Sequence, residues 1–218
     1  MTLTRTELTP LTTRQQLTAG RLGRRLPQLV VGLAVYGISM AMMVRADLGL
    51  APWDVLHVGL ESRLPLTFGQ VTMVVGAVVL LLWWPLRQWP GLGTVSNVVV
   101  IGLMSDAALS VLTTPGSLVG RLVLLLAGIV LNGVAGGLYI GSQFGAGPRD
   151  GLMTGLARRT PWSLRLVRTV IEVAVLGVGW LLGGTVGIGT VAYALLIGPV
   201  VQLVLPWVTV SLPSRPTR

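Results

Sequence analysis

Apolar runs of membrane-spanning length alternate with short polar or glycine-rich breaks along almost the whole chain. Positions 26–44 carry no charge. The run is longer than the roughly 7–15 residues of a signal-peptide core and predicts a first spanning helix. Further apolar runs predict helices over 68–86, 91–112, 122–141, 164–182 and 188–208, with turns at Thr113-Thr114-Pro115-Gly116 and Gly183-Gly184-Thr185. Positions 46–66 fit neither pattern. With Asp47, Asp54, His57, Glu61 and Arg63 they are too polar to span and too apolar for an ordinary loop. Positions 144–161 have the same character.

The two odd stretches are copies of one another. Leu-Gly-Leu-Ala-Pro-Trp-Asp-Val-Leu-His-Val-Gly-Leu at 48–60 returns as Phe-Gly-Ala-Gly-Pro-Arg-Asp-Gly-Leu-Met-Thr-Gly-Leu at 144–156, an offset of 96 residues from Pro52 to Pro148. In that register Gly32 and Gly37 align with Gly128 and Gly133, Pro65 with Pro161, and Trp84 with Trp180. Gly91-Leu92-Gly93-Thr94-Val95 aligns with Gly187-Ile188-Gly189-Thr190-Val191. One register held over most of the chain marks an internal duplication, each copy a structural unit. The expected organisation is a basic tail at 1–25, a membrane repeat at 26–112, a turn at 113–121, a second repeat at 122–208 and a short tail at 209–218.

Composition puts these runs in a bilayer. The 218 residues are 52% hydrophobic and 11% charged, with mean hydropathy +0.79. A soluble domain carries about 25% charged residues. The fold class is therefore an all-α integral membrane protein.

The net charge of +9 is concentrated in the N-terminal tail, at 158–168 and at the C-terminus. That matches a positive-inside bias rather than a nucleic-acid surface. Both termini are expected in the cytoplasm with Arg87, Arg149, Arg158, Arg159, Arg165 and Arg168, leaving Arg45, Arg63 and Arg121 outside. Three crossings per copy then insert the copies in opposite senses, an inverted-topology repeat in the plasma membrane. Arg5, Arg14, Arg21, Arg24 and Arg25 against Glu7 make 1–25 a disordered tail near anionic headgroups. Trp83, Trp84 and Trp89 suit the membrane–water boundary. No cysteine and one histidine leave neither a thiolate nor a multi-histidine metal site. No metal or cofactor is expected.

The candidate chemistry lies in the duplicated stretch. Pro52-Trp53-Asp54 and Pro148-Arg149-Asp150 each place a proline at a helix start and a carboxylate against its positive end. One reading is two capped half-helices. The other is two half-helices starting inside the membrane and lining a cavity, where Asp54 and Asp150 bind a cation, a proton or a polar solute. Gly49 and Gly147 permit irregular backbone with free carbonyls. An interfacial helix lying flat is the alternative to a re-entrant one. His57, one turn past Asp54, is either a proton relay or an interfacial side chain. Glu172 is either an i,i+4 partner of Arg168 or a coupling carboxylate. Asn97, Asn132 and Asp106 serve as inter-helix hydrogen bonds or as ligand contacts. The Gly-x-Gly-Thr runs serve as close packing or as an anion cradle.

The run Leu48-Gly49-Leu50-Ala51-Pro52-Trp53-Asp54-Val55-Leu56-His57 is followed by Trp84-Pro85-Leu86 and Gly91-Leu92-Gly93-Thr94-Val95-Ser96-Asn97. With Gly147-Pro148-Arg149-Asp150-Gly151-Leu152, it resembles the YczE/YitT-like family of small bacterial integral membrane proteins over roughly 32–205. The resemblance implies a multi-pass plasma-membrane protein. The family is largely uncharacterised and offers no substrate or catalytic residue to carry over.

The function expected is a small secondary transporter or channel-like protein for a polar small solute or ion. The alternative is a non-transporting membrane protein that binds a ligand or regulates a partner through its basic cytoplasmic face. No Gly-x-Ser-x-Gly, His-Glu-x-x-His or Walker loop occurs, and no enzymatic activity is expected. The expected partners are the bilayer, the solute and a second copy or another membrane protein, not nucleic acid.

Overall fold

The computed structural model describes residues 13–212, apart from the side chain of Arg14. The described residues form helices and no strands. In order these are α1 (Thr13–Thr18), α2 (Leu22–Ala46), α3 (Pro52–Glu61), α4 (Phe68–Leu81), α5 (Leu92–Val111), α6 (Leu118–Gly141), α7 (Pro148–Ala157), α8 (Leu164–Leu181) and α9 (Ile188–Val208). Four of them, α2, α5, α6 and α9, are long and apolar enough to cross a membrane. α4 is apolar but shorter, and α8 carries Arg165, Arg168 and Glu172.

Local chemistry sets the helix starts. Ser117 Oγ accepts from Gly120 N at 3.1 Å and Ser163 Oγ from Leu166 N at 3.2 Å, capping α6 and α8. Thr67 and Gln70 cap α4 reciprocally, and Asp106 on α5 reinforces that start by accepting from Gly69 N at 2.7 Å. Asp106 thus ties two helices together. Pro52 and Pro148 open α3 and α7 from extended residues, Ala51 and Gly147.

Contacts between the two copies are reciprocal, as in an isologous dimer. Gly32 on α2 packs against Leu138 and Tyr139 on α6, while Gly128 packs against Met42 and Met43. The numbering runs oppositely on the two helices, so α2 and α6 are antiparallel. Gly93 N donates to Phe144 O at 2.9 Å, and Gly189 N to Leu48 O at 2.8 Å. These are the same two positions with the copies exchanged. The Gly-x-Gly-Thr runs are therefore packing sites where helix starts meet the opposite break.

The breaks themselves repeat in backbone. Asp47 and Gln143 take φ of 50° and 58°, then Gly49 and Gly145 take 110° and 108°, angles that a side chain disfavours. An arginine from the other copy holds each break. Arg25 donates to Ser142 O and Gln143 O, both at 2.9 Å. Arg121, its counterpart, donates to Ala46 O at 2.7 Å and to Asp47 O. Each guanidinium satisfies carbonyls that a helix C-terminus leaves unpaired and meets the negative end of its dipole.

Three expectations change. The chain is ordered as helix before residue 25: α1 lies at Thr13–Thr18 and α2 begins at Leu22. The reason is Arg25, which is fully buried, stacked 4.2 Å over the Phe144 ring and bonded to Gln16 O at 2.8 Å. The rest of the expected tails, 1–12 with Arg5 and Glu7 and 213–218 with Arg215 and Arg218, lies outside the described residues. α6 starts at Leu118 rather than 122 because Ser117 caps it, and α4 stops at Leu81 rather than 86. Beyond that stop Trp83 turns inward. It is 3% exposed and donates from Nε1 to Pro148 O at 2.9 Å, so it is no interfacial anchor, whereas Trp84 and Trp89 are exposed.

The main core joins Leu33, Met40 and Met43 of α2 to Leu125 and Ile129 of α6, with Phe68, Val55 and Phe144. A second cluster around Trp53, Trp83, Leu152, Met153 and Val167 wedges the half-helices α3 and α7 against α4 and α8.

Candidate functional site

The starts of α3 and α7 face one another. Arg149, second residue of α7, stacks 4.9 Å over the ring of Trp53, second residue of α3. Trp53 and Arg149 are equivalent in the duplication, so the copies meet at this contact. A cavity of about 340 Å³ adjoins it, lined from α2 by Tyr36 and Met40, from α5 by Asn97, from α6 by Asn132 and Tyr139, and from α9 by Tyr193. Both half-helices present the positive ends of their dipoles here, and each carries an aspartate in its first turn.

Asp54 sits in a closed pocket behind the cavity wall. It is 2% exposed, with Oδ1 3.5 Å from His57 Nδ1 and 3.7 Å from Arg149 Nη2. At those distances Oδ1 has no hydrogen-bond partner among the described residues. His57 is 1% exposed and lies edge-on to Phe68. Thr72 gives its hydroxyl proton to Phe68 O at 2.9 Å, which leaves a lone pair for an Nδ1–H of His57 at 3.2 Å. Nε2 then turns its own lone pair to Arg149 Nη2, 3.5 Å away. The neutral Nδ1–H tautomer fits every one of these partners.

Asp150 is the opposite case. It lines the cavity and is exposed to it, and no hydrogen bond or ion pair holds its carboxylate among the described residues. Polar atoms gather where Gly147 leaves room. A methyl placed on that glycine would stand 3.3 Å from Asp150 Oδ2, 3.4 Å from Tyr139 Oη and 3.7 Å from Asn97 Nδ2. On the α8 wall of the cavity Arg168 Nε donates to Glu172 Oε1 at 2.8 Å, the i,i+4 pair the spacing suggests. Asn132 donates to Ser39 Oγ at 2.8 Å and accepts from Tyr193 Oη at 3.1 Å, so it joins three helices while facing the cavity.

The structure thus brings Asp150, Gly147, Pro148, His57, Glu172 and Asn97 to the cavity wall, with Asp54 directly behind. Pro52 starts α3 without lining the cavity. Gly49 is elsewhere, packed closely against Gly187 and Gly189 at the start of α9.

Sequence reasoning missed the cavity roles of Arg149, Arg168, Tyr36, Tyr139 and Tyr193. The 96-residue register carries a signal for the charged ones. Arg168 and Glu172 replace Thr72 and Gly76 of the first copy, charges gained on a helix face the other copy keeps uncharged.

Among known proteins, the chain is similar to an uncharacterized protein of Haemophilus influenzae, 40% identical over 81% of each chain. It is also similar to the uncharacterized membrane protein YczE of Bacillus subtilis, 33% identical over 80% of this chain and 81% of that one. A third relative, the uncharacterized protein YyaS of Bacillus subtilis, is 25% identical over 81% of this chain and 90% of its own. The resemblance drawn from the Pro-x-Asp stretch holds. No solved structure matches significantly. With residues 23–206 matching its pattern, and with four helices long and apolar enough to cross a bilayer, the chain is a membrane protein of the family of unknown function DUF6198.

Proposed function

We propose that the chain is a small secondary transporter for a polar solute or ion, bound where α3 and α7 start. One observation carries the reading: the broken segments of both copies converge on one cavity that holds a carboxylate with no hydrogen bond or ion pair among the described residues. Irregular backbone at membrane depth is tolerated where it lines a polar cavity, and an ionisable group there is by default functional. On this reading α4 and α8 cross together with the four longer helices. The two copies are inverted, with both termini cytoplasmic, α3 opening outward and α7 inward. The antiparallel pairing of α2 with α6 and the exchanged contacts between copies support that topology.

Reciprocal contacts also supply a route for alternating access. In the arrangement described, the first motif is packed shut and the second faces the cavity. On this reading Asp54 opens in the other half of the cycle, and the side-chain differences between the copies set which of the two states is the more stable. The solute leaves unchanged, so on this reading the chain is not an enzyme.

The alternative reading, regulation of a partner through a basic face, draws on Arg158, Arg159 and Arg165, which are exposed and make no ion pair among the described residues. The commitment of Arg149 and Arg168 to the cavity favours transport.

A thermal-stability screen of the purified protein against ions and small metabolites tests the proposal, because a ligand of the folded state raises Tm by mass action. The result expected is a stabilising solute whose effect disappears in Asp150→Asn, followed by its uptake into proteoliposomes. A stable Asp150→Asn protein that binds and moves the solute as wild type does would sink the reading.

A further inference from the structure

We propose that the cavity opens sideways between α8 and α9 and takes an amphiphilic cation, its charged head against Asp150 and its apolar chain in the gap. The proposal rests on the solute-site reading above and names the class of solute.

The gap stands out when the copies are compared. In the first copy α4 packs along α5: a methyl on Gly102 would meet Met73 Cγ at 2.5 Å and Gly69 O at 2.7 Å. The equivalent helices, α8 and α9, do not pack along one another. Gly198, the counterpart of Gly102, has no atom of another helix within 4 Å of where its methyl would stand, among the described residues. α8 leans instead on α3, where Gly179 meets the backbone of Val55 and Leu56. The cavity reaches this opening, lined by Glu172 on one side and Gly198, Val201 and Gln202 on the other.

The rim and the floor differ in chemistry. Val170 and Val173 on α8 and Leu195 and Leu203 on α9 are exposed apolar side chains of the two helices that flank the gap, a surface suited to acyl chains. Inside, Arg168 is neutralised by Glu172, and Arg149 faces Asp54. The carboxylates at the site, Asp54, Asp150 and Glu172, outnumber its guanidiniums, Arg149 and Arg168, and of the three only Asp150 has no hydrogen bond or ion pair among the described residues. That excess of carboxylate, with the lone pairs of Tyr139 Oη, whose proton goes to Gly145 O, favours a cation. A volume of about 340 Å³ holds a head group or a small solute, not a lipid-length molecule, so a chain of any length must pass through the gap into the bilayer.

The test is calorimetric titration of the full chain in lipid nanodiscs, with empty discs as blank. The probes are tetramethylammonium, decyltrimethylammonium and decyl sulfate. Decyltrimethylammonium should bind about tenfold or more tightly than tetramethylammonium, since each buried methylene adds to binding. Decyl sulfate should not displace it. Asp150→Asn should weaken its binding about tenfold or more. Gly198→Leu, which fills open space, should erase the preference for the chain-bearing cation.

Exclusion of the decyl compound while tetramethylammonium binds would overturn the lateral opening and leave a water-accessible solute site standing. So would an intact chain preference in Gly198→Leu. Binding of decyl sulfate in place of the cations would overturn the charge assignment. A stable dimer dispersed by Gly198→Leu would overturn the proposal by seating a second copy in the gap. No binding of either cation, together with no solute in the thermal screen, would remove the underlying transport reading as well.

Discussion

Asp54 and Asp150 occupy the same position in duplicated half-helices, yet one is walled in by His57, Trp53 and Arg149 and the other faces an open cavity. The backbone is not the cause, for the breaks repeat to within a few degrees at Gly49 and Gly145. Side chains are. His57 and Thr72 close a hydrogen-bonded wall in the first copy, whereas their counterparts, Met153 and Arg168, make no such pair. Glycines then set how closely the flanking helices approach. Gly179 and Gly59 let α8 lie on α3, while the bulky Trp83 fills the equivalent space over Gly151 and holds α4 away from α7. Duplication therefore supplied one backbone plan twice, and divergence of a few side chains gave it one shut motif and one open one.

The largest effect that bears on this comparison is expected at the arginines that hold the breaks. Arg25→Ala strands several buried carbonyls behind the open motif and should destabilise by about 3 kcal/mol or more. Arg121, partly exposed, makes fewer buried bonds, and Arg121→Ala should cost about 1 kcal/mol. Denaturation midpoints in detergent decide it; equal losses would mean that the two breaks are held alike.

Next come the paired glycines. Gly102→Ala forces α4 from α5 and should cost about 1–3 kcal/mol. Gly198→Ala meets nothing and should be neutral or stabilising by up to about 1 kcal/mol, from helix propensity. A matching loss at both positions, read from Tm, would close the gap between α8 and α9.

The aspartates themselves should part company. Asp54→Asn removes the buried counter-charge of Arg149 and should lower stability by about 1–2 kcal/mol. Asp150→Asn should stay within about 1 kcal/mol of wild type while losing ligand-induced stabilisation. Thermal melts with and without solute read both at once.

The smallest structural effect is expected at the exposed pair on the α8 wall of the cavity. Arg168 is 59% exposed there, and Arg168→Gln should shift stability by no more than about 0.5 kcal/mol. It frees Glu172, so binding of a small cation such as tetramethylammonium should tighten severalfold. Weaker binding would show that the cavity favours anions.

Hydropathy, the Pro-x-Asp repeat and the 96-residue register sufficed for the helical class, the order of elements and the two breaks, because each depends on local chemistry or on identity at fixed spacing. The i,i+4 pair of Arg168 and Glu172 was legible for the same reason. Arg25 was not. Alone it reads as one more basic residue in a basic tail, and only its counterpart at Arg121 hints at a shared task. The tyrosines of the cavity were equally silent, since an aromatic residue in an apolar helix carries no mark of the face it occupies.

What the sequence by itself determined, then, was a duplicated helical membrane protein with a carboxylate at the start of each half-helix, since apolar runs, proline and glycine act on their own neighbours. Only the tertiary structure decided which carboxylate is buried, that an arginine from each copy holds the other's break, and that α8 stands off from α9. Those outcomes depend on contacts between residues about a hundred positions apart, where the volume of one side chain sets the space left for another.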